Sequence, residues 1–163
     1  MTENELFVDN PLALTGLFPG GVFIPREGEQ HKFEYHGRGD RRVLNIVYYD
    51  MPQLPEKLFE KLEKIMSSLV WNQEKVIASD YAVVNASKVM MDNRLTEIIA
   101  DFKPEKTIIW MDQWQSSEKE VLFYQLAQWP ETEVLRCHAL HTVLADVDRK
   151  KECWLAVKRL FGM

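Results

Sequence analysis

Cysteine is scarce in this chain: Cys137 and Cys153 are the only two among 163 residues. Two thiols cannot supply a four-thiolate cluster, and their spacing matches no zinc motif, so they are expected as buried, reduced thiols of the kind common in the cytosol. Long apolar runs are lacking as well. No stretch approaches the roughly 18–20 residues needed to cross a bilayer, and no charged segment followed by an apolar one opens the chain. Both absences point to a soluble, cytoplasmic protein with no membrane partner. Neither sign of charge dominates: 20 basic against 25 acidic residues leave a net charge of -5. That argues against a global cationic footprint for nucleic acid while leaving room for a local one. His-Glu-x-x-His, the phosphate-cradling glycine loops, Gly-x-Ser-x-Gly and Cys-x-x-Cys are all missing, and with them the common zinc, phosphate-binding and hydrolase signatures.

What is present is a hydrophobic fraction of 46%, enough at this length for one substantial core. The chain is therefore expected to be a single domain over residues 1–163, with an N-terminal arm and edge hairpin at about residues 1–40. Val22-Phe23-Ile24 and the polar-aromatic alternation of Lys32-Phe33-Glu34-Tyr35 supply the two hairpin strands. Residues 43–49 are nearly continuous in β-favouring apolar side chains, the pattern of a central strand covered on both faces. Leu58, Phe59, Leu62, Ile65, Met66 and Leu69 then recur at helical spacing after Pro55, with charged residues filling the opposite face. Residues 76–81 read as a second strand. Leu95, Ile98, Ile99 and Phe102 form the stripe of a second helix, capped by Asp92 or Asn93 and ended before Pro104. Residues 107–111 read as a third strand, 121–126 and 134–136 as two more, and a last helix starts near Asp146 or Asp148. Alternating strands and helices imply right-handed parallel crossovers, and hence a three-layer α/β/α sandwich around a mainly parallel sheet.

In such sheets the ligand crevice lies beyond the strand C-termini, which selects Asp50, Ser79, Asp80, Met111, Asp112, His138 and His141. His138 and His141, with Asp50 or Asp80, have the side chains to ligate a divalent metal or to act as general acid and base, though for each singly a hydrogen-bonded structural histidine is the commoner case. Trp110, Trp114 and Trp129 cluster around the third strand, either as core or as a stacking platform for a base. Arg149-Lys150-Lys151 sets three cations at the start of the last helix, against the favoured direction of its dipole, either as a contact surface, with phosphate one candidate, or, more commonly for such a run, as a solvated helix start.

The order of these pieces from residue 43 to 161 resembles the uracil-DNA glycosylase superfamily. Phe102-Lys103-Pro104-Glu105-Lys106 followed by Thr107-Ile108-Ile109-Trp110 resembles its helix end, lysine-proline turn and apolar strand. Residues 76–81 resemble the strand carrying its uracil-reading asparagine. Arg136-Cys137-His138-Ala139-Leu140 resembles its histidine-proline motif, and the helix with Arg149-Lys150-Lys151 and Trp154 its basic, tryptophan-containing helix. The resemblance implies a glycosylase-like fold, with Ser79, Asp80, Trp110 and His138 as ligand-binding candidates, Asp50 and His138 as catalytic candidates, and Arg149, Lys150 and Lys151 as nucleic-acid contacts. The chain departs from the family at key places. Asp50-Met51-Pro52-Gln53 replaces the glycine-rich acidic motif, Asp80 stands at the asparagine position where a carboxylate presents no amide donor, and Ala139 replaces the proline. The four cysteines of the iron-sulfur members are absent, so no cofactor or metal is implied. Asp50-Met51-Pro52-Gln53-Leu54 leading into a helix also resembles the psi subunit of bacterial DNA polymerase III, a noncatalytic protein-binding adaptor with a glycosylase-like fold. The expectation is a noncatalytic domain that binds a protein partner or single-stranded DNA in replication or repair. An active, divergent glycosylase, or a metal-dependent hydrolase using His138, His141 and Asp50, is the alternative.

Overall fold

The run of apolar residues after Arg42 forms β2 (Val43–Val47), buried along its whole length as a parallel strand covered on both faces must be. A computed structural model describes residues 33, 35–39, 42–49, 54–86, 94–113 and 121–163, all within one unit, His31–Met163. Residues Val22-Phe23-Ile24, Lys32, Glu34, Asp50, Asp92, Asn93 and Trp114, and the N-terminal arm, lie outside the described residues.

In chain order the elements are β1 (His36–Gly37), β2, α1 (Glu56–Ser67), β3 (Val70–Trp71), β4 (Glu74–Lys75), β5 (Tyr81–Asn85), α2 (Arg94–Phe102), β6 (Lys106–Trp110), β7 (Leu126–Gln128), β8 (Glu133–Cys137), α3 (Leu140–Ala145) and α4 (Val147–Leu160). Six strands build the main sheet in the order β1-β5-β2-β6-β8-β7. β5, β2, β6 and β8 run parallel, and the short edge strands β1 and β7 run antiparallel to their neighbours. From β2 the chain crosses to β5 on one side, then returns past β2 to β6. Right-handed crossovers in opposite directions put their helices on opposite faces. One core accordingly joins α1, α3 and α4 through Leu62, Met66, Val143, Val157 and Leu160 to Val43, Val47, Ile108, Trp110 and Leu135. The other joins α2 through Leu95, Ile98 and Ile99 to Leu44, Ile46, Val84, Ile109 and Val134. Alternate residues of one strand serve alternate cores, as the two-residue pleat requires. The expected α/β class with a mainly parallel sheet and helices on both faces is thus observed.

Three expected elements differ. The strand expected at residues 76–81 is a 3-10 turn, Ala78–Asp80, followed by β5 at Tyr81–Asn85. Asp80 is the reason: its Oδ2 accepts the Ile77 N–H at 2.7 Å, the local side-chain bond that lets aspartate compete with a ladder. The strand expected at 121–126 is a single bridge from Phe123 to Arg136, with β7 beginning at Leu126. Tyr124 has φ 59°, a left-handed conformation that bends an extended chain. The described edge strand is His36–Gly37, just past the strand expected at 32–35, of which only Phe33 and Tyr35 are described. Gly37, at φ 88°, presses so closely on the Tyr81 carbonyl that a Cβ would not fit. Two elements were not expected. α3 occupies what reads as a turn, and the β3–β4 hairpin turns through Asn72 and Gln73, both with positive φ, the arrangement of a type I′ turn.

Candidate functional site

The parallel strands end together: Asn85, Val47, Trp110 and Cys137 stand level across β5, β2, β6 and β8. The residues that follow form the C-terminal edge, and two of them, Asp112 and His138, meet there. Asp112 Oδ1 lies 2.9 Å from His138 Nδ1 and 3.0 Å from the Ala139 amide, while Oδ2 accepts from Thr142 Oγ1 at 2.6 Å. A loop carboxylate thereby caps the start of α3, whose own N-cap, Ala139, has no capping side chain. Burial alone pushes the Asp112 carboxyl up, but the hydrogen bonds from Thr142, Ala139 and His138 outweigh it and hold the group below its ordinary value. An ionised carboxylate only accepts, so neutral His138 carries its proton on Nδ1 and keeps Nε2 as an acceptor.

The face of that imidazole is covered. Phe123 stacks on it with ring centroids 3.8 Å apart and planes 18° from parallel. The Arg136 guanidinium carbon sits 4.1 Å from the same Phe123 centroid. Two groups this close to one ring centre exclude each other from a single face, so Phe123 is sandwiched between guanidinium and imidazole, a favourable geometry for both. Arg136 is buried and donates to the carbonyls of Met111, Val121 and Asp112, which ties the chain leaving β6 and the chain entering Phe123 to β8. Tyr124 packs edge-on to His138 at 5.7 Å. Its hydroxyl is buried, makes no well-aligned hydrogen bond, and is pushed well above its ordinary pKa by burial and then by the nearby Cys153 and Cys137 thiols. The His138 side chain retains 20% exposure. What this assembly does chemically is fix one tautomer and one ring orientation.

The other sequence candidates fare differently. Ser79 and Asp80 precede β5 and so stand at the N-terminal edge, the end of the sheet opposite His138. Six residues of strand rise separate the two levels, about 20 Å at about 3.3 Å per residue. The assignment of Asp80 to the base-reading position is thereby corrected, because the strand begins where it was expected to end. The residue at the C-terminal end of that strand is Asn85, whose Oδ1 accepts from the Tyr49 amide at 3.2 Å. Trp110 is corrected as a ligand-stacking residue: it is 0% exposed and donates from Nε1 to Asn45 Oδ1 at 3.0 Å. Trp129 is buried in the core on the other face of the sheet. His141 is exposed on α3, and Arg149, Lys150 and Lys151 are exposed on α4. Among the described residues no group of three or more His, Cys, Asp or Glu side chains converges as a metal site would. Asp50, the third member of the His138, His141 and Asp50 set, lies outside them. No described helix is long and apolar enough to cross a membrane.

Cys137 and Cys153 are free, buried, and in contact at 3.4 Å between sulfurs, the state expected of them. Burial first, then the Cys153 contact, raises Cys137 well above the ordinary thiol value, which keeps it a protonated, unreactive core residue. Phe123, Thr142 and Asn85 were not marked by the sequence. Asn85 had a signal, as the first polar residue after Tyr81-Ala82-Val83-Val84, while Phe123 and Thr142 had none. No family model matches the chain, and no curated protein matches it.

Proposed function

We propose that this is a noncatalytic domain of the uracil-DNA glycosylase type, serving DNA replication or repair by binding a protein partner or nucleic acid. One observation carries the reading: His138, which the sequence resemblance sets in the place of the family's histidine, is stacked against Phe123 and held by Asp112. A glycosylase of this type needs its histidine facing a flipped base, with an amide reading that base and an aromatic ring stacked on it. Here the ring that stacks on the histidine is the protein's own. Asp80 is at the far edge of the sheet, and Trp110 is committed to the core. The likeness in the order of sequence motifs and the parallel sheet with helices on both faces support the family part of the proposal.

Asn85 favours a second reading, an active but divergent glycosylase, since it brings an amide to the C-terminal edge. Its Oδ1 is already engaged with Tyr49, and two strands, β2 and β6, separate it from β8. Excision from single-stranded, uracil-containing oligonucleotide separates the two readings. The noncatalytic domain yields no abasic product above a protein-free control at stoichiometric protein. Product formation that His138→Ala and Asn85→Ala each abolish would establish the active enzyme instead.

A further inference from the structure

β8 divides its backbone groups between two neighbours. The odd-numbered residues face β6: the Glu133 amide donates to the Glu105 carbonyl, and the Cys137 carbonyl accepts from the Met111 amide. The even-numbered residues then face β7, and the Arg136 carbonyl, which accepts from the Tyr124 amide, and Thr132, which exchanges bonds with Trp129, do so. β7 sets Leu126 opposite Leu135, Ala127 opposite Val134 and Gln128 opposite Glu133, so Ala127 is the residue bonded to β8. The amides and carbonyls of Leu126 and Gln128 point the other way, out of the sheet. Among the described residues no hydrogen bond takes them up, and both residues are exposed, Leu126 at 40%. Sheets blunt such an edge with lysine or proline, and Leu126-Ala127-Gln128 has neither. Residues 121–130 carry no formal charge at all, in a chain with 20 basic and 25 acidic residues.

We propose that the β7 edge pairs with the β7 edge of a second copy of this chain, antiparallel about a two-fold axis at Ala127, joining the two sheets into one. Outward groups that flank a single residue symmetrically are complementary to themselves. Leu126 of one copy meets Gln128 of the other, each such pair exchanging two hydrogen bonds, while Ala127 faces Ala127 at the closer, non-hydrogen-bonded position, about 4.5 Å between Cα atoms. A methyl side chain suits that approach. Two features select a second copy over a foreign strand. An uncharged stretch gives an acidic or basic peptide nothing to pair with, whereas two copies of it meet without repulsion. A three-residue edge also offers too few hydrogen bonds to order a flexible peptide, which loses conformational freedom at every residue it fixes. The second copy brings the same edge already folded, with Leu126 packing across the seam on the stem of Gln128. The proposal rests on this edge alone and holds whichever way the His138 site is read.

Sedimentation velocity of the full chain from about 1 to 100 µM, a span that reads dissociation constants of micromolar order, tests the association. Hydrogen exchange resolved to single amides tests the contact. A dimer is expected at the upper end. The Leu126 and Gln128 amides should exchange freely in dilute protein and slowly in concentrated protein, with the Ala127 amide slow in both. Gln128→Pro deletes an outward N–H that bonds nothing within the monomer, and Leu126→Lys adds the charge that protects other edges. Each is expected to weaken the dimer about tenfold, and Leu155→Lys, at an exposed residue of α4, to leave it unchanged. Thermal midpoints of the dilute variants within the wild-type range show that they fold. A monomer throughout, a dimer whose Leu126 and Gln128 amides exchange as in dilute protein, or a dimer that survives both edge variants would overturn the proposal. So would a dimer lost through Leu155→Lys, or protection of those two amides that does not change with concentration, the sign of an intramolecular cover.

Discussion

A single carboxylate organises the C-terminal edge. Asp112 accepts from a backbone amide, a hydroxyl and an imidazole at once, so Asp112→Ala strands three donors together. The expected cost is about 2–3 kcal/mol, measurable by urea denaturation, with Asp112→Asn losing less because an amide oxygen still accepts. The folded-state pKa of Asp112 is depressed, so its stabilisation is complete above the ordinary carboxylate value of about 3.9 and fades as pH falls through the lower folded value. The stability gap between wild type and Asp112→Asn should accordingly be constant near neutrality and close in acid. Cys137 and Cys153 make a second prediction at this scale. Both are buried, so a thiol reagent should modify neither in the native protein and both after unfolding.

At the scale of elements, parallel strands were the most legible feature. Residues 43–47, 106–110 and 133–137 lie deep in the sheet, and near-continuous apolar runs announce that. The strand before α2 was misplaced because Val76-Ile77 has the same β-favouring character as Val83-Val84. Only the Asp80 side chain, which closes a turn on Ile77, decides between them. That shift of five positions moved the strand's C-terminal residue, where the resemblance sets a base-reading side chain, from Asp80 to Asn85, and Asn85 went unmarked for the same reason. Phe123 was hidden because the bend at Tyr124 is a backbone choice that no residue type there demands. Turn chemistry offers two tests. Gln73 holds φ 67° in the β3–β4 turn, a conformation glycine adopts without steric cost, so Gln73→Gly should raise stability by about 0.5–1 kcal/mol. Gly37→Ala should lower it by about 1 kcal/mol or more through both the positive φ and the Tyr81 carbonyl, and should expose the β1-facing amides of β5 to hydrogen exchange.

For the molecule as a whole, the described part of the C-terminal edge is held by its own side chains, with Phe123 stacked on His138 and Asp112 fixing the ring. That arrangement supports the proposed noncatalytic reading. The stack of Arg136, Phe123 and His138 is the basis of the noncatalytic proposal. It is tested most directly by following the His138 ring protons by NMR while free uracil and then deoxyuridine are added. Ring-current-shifted His138 resonances with strong cross-relaxation to Phe123, unmoved by either compound, are the expected result. Saturable displacement of those resonances, with loss of the Phe123 contacts, would show a crevice that opens to a base and would contradict it.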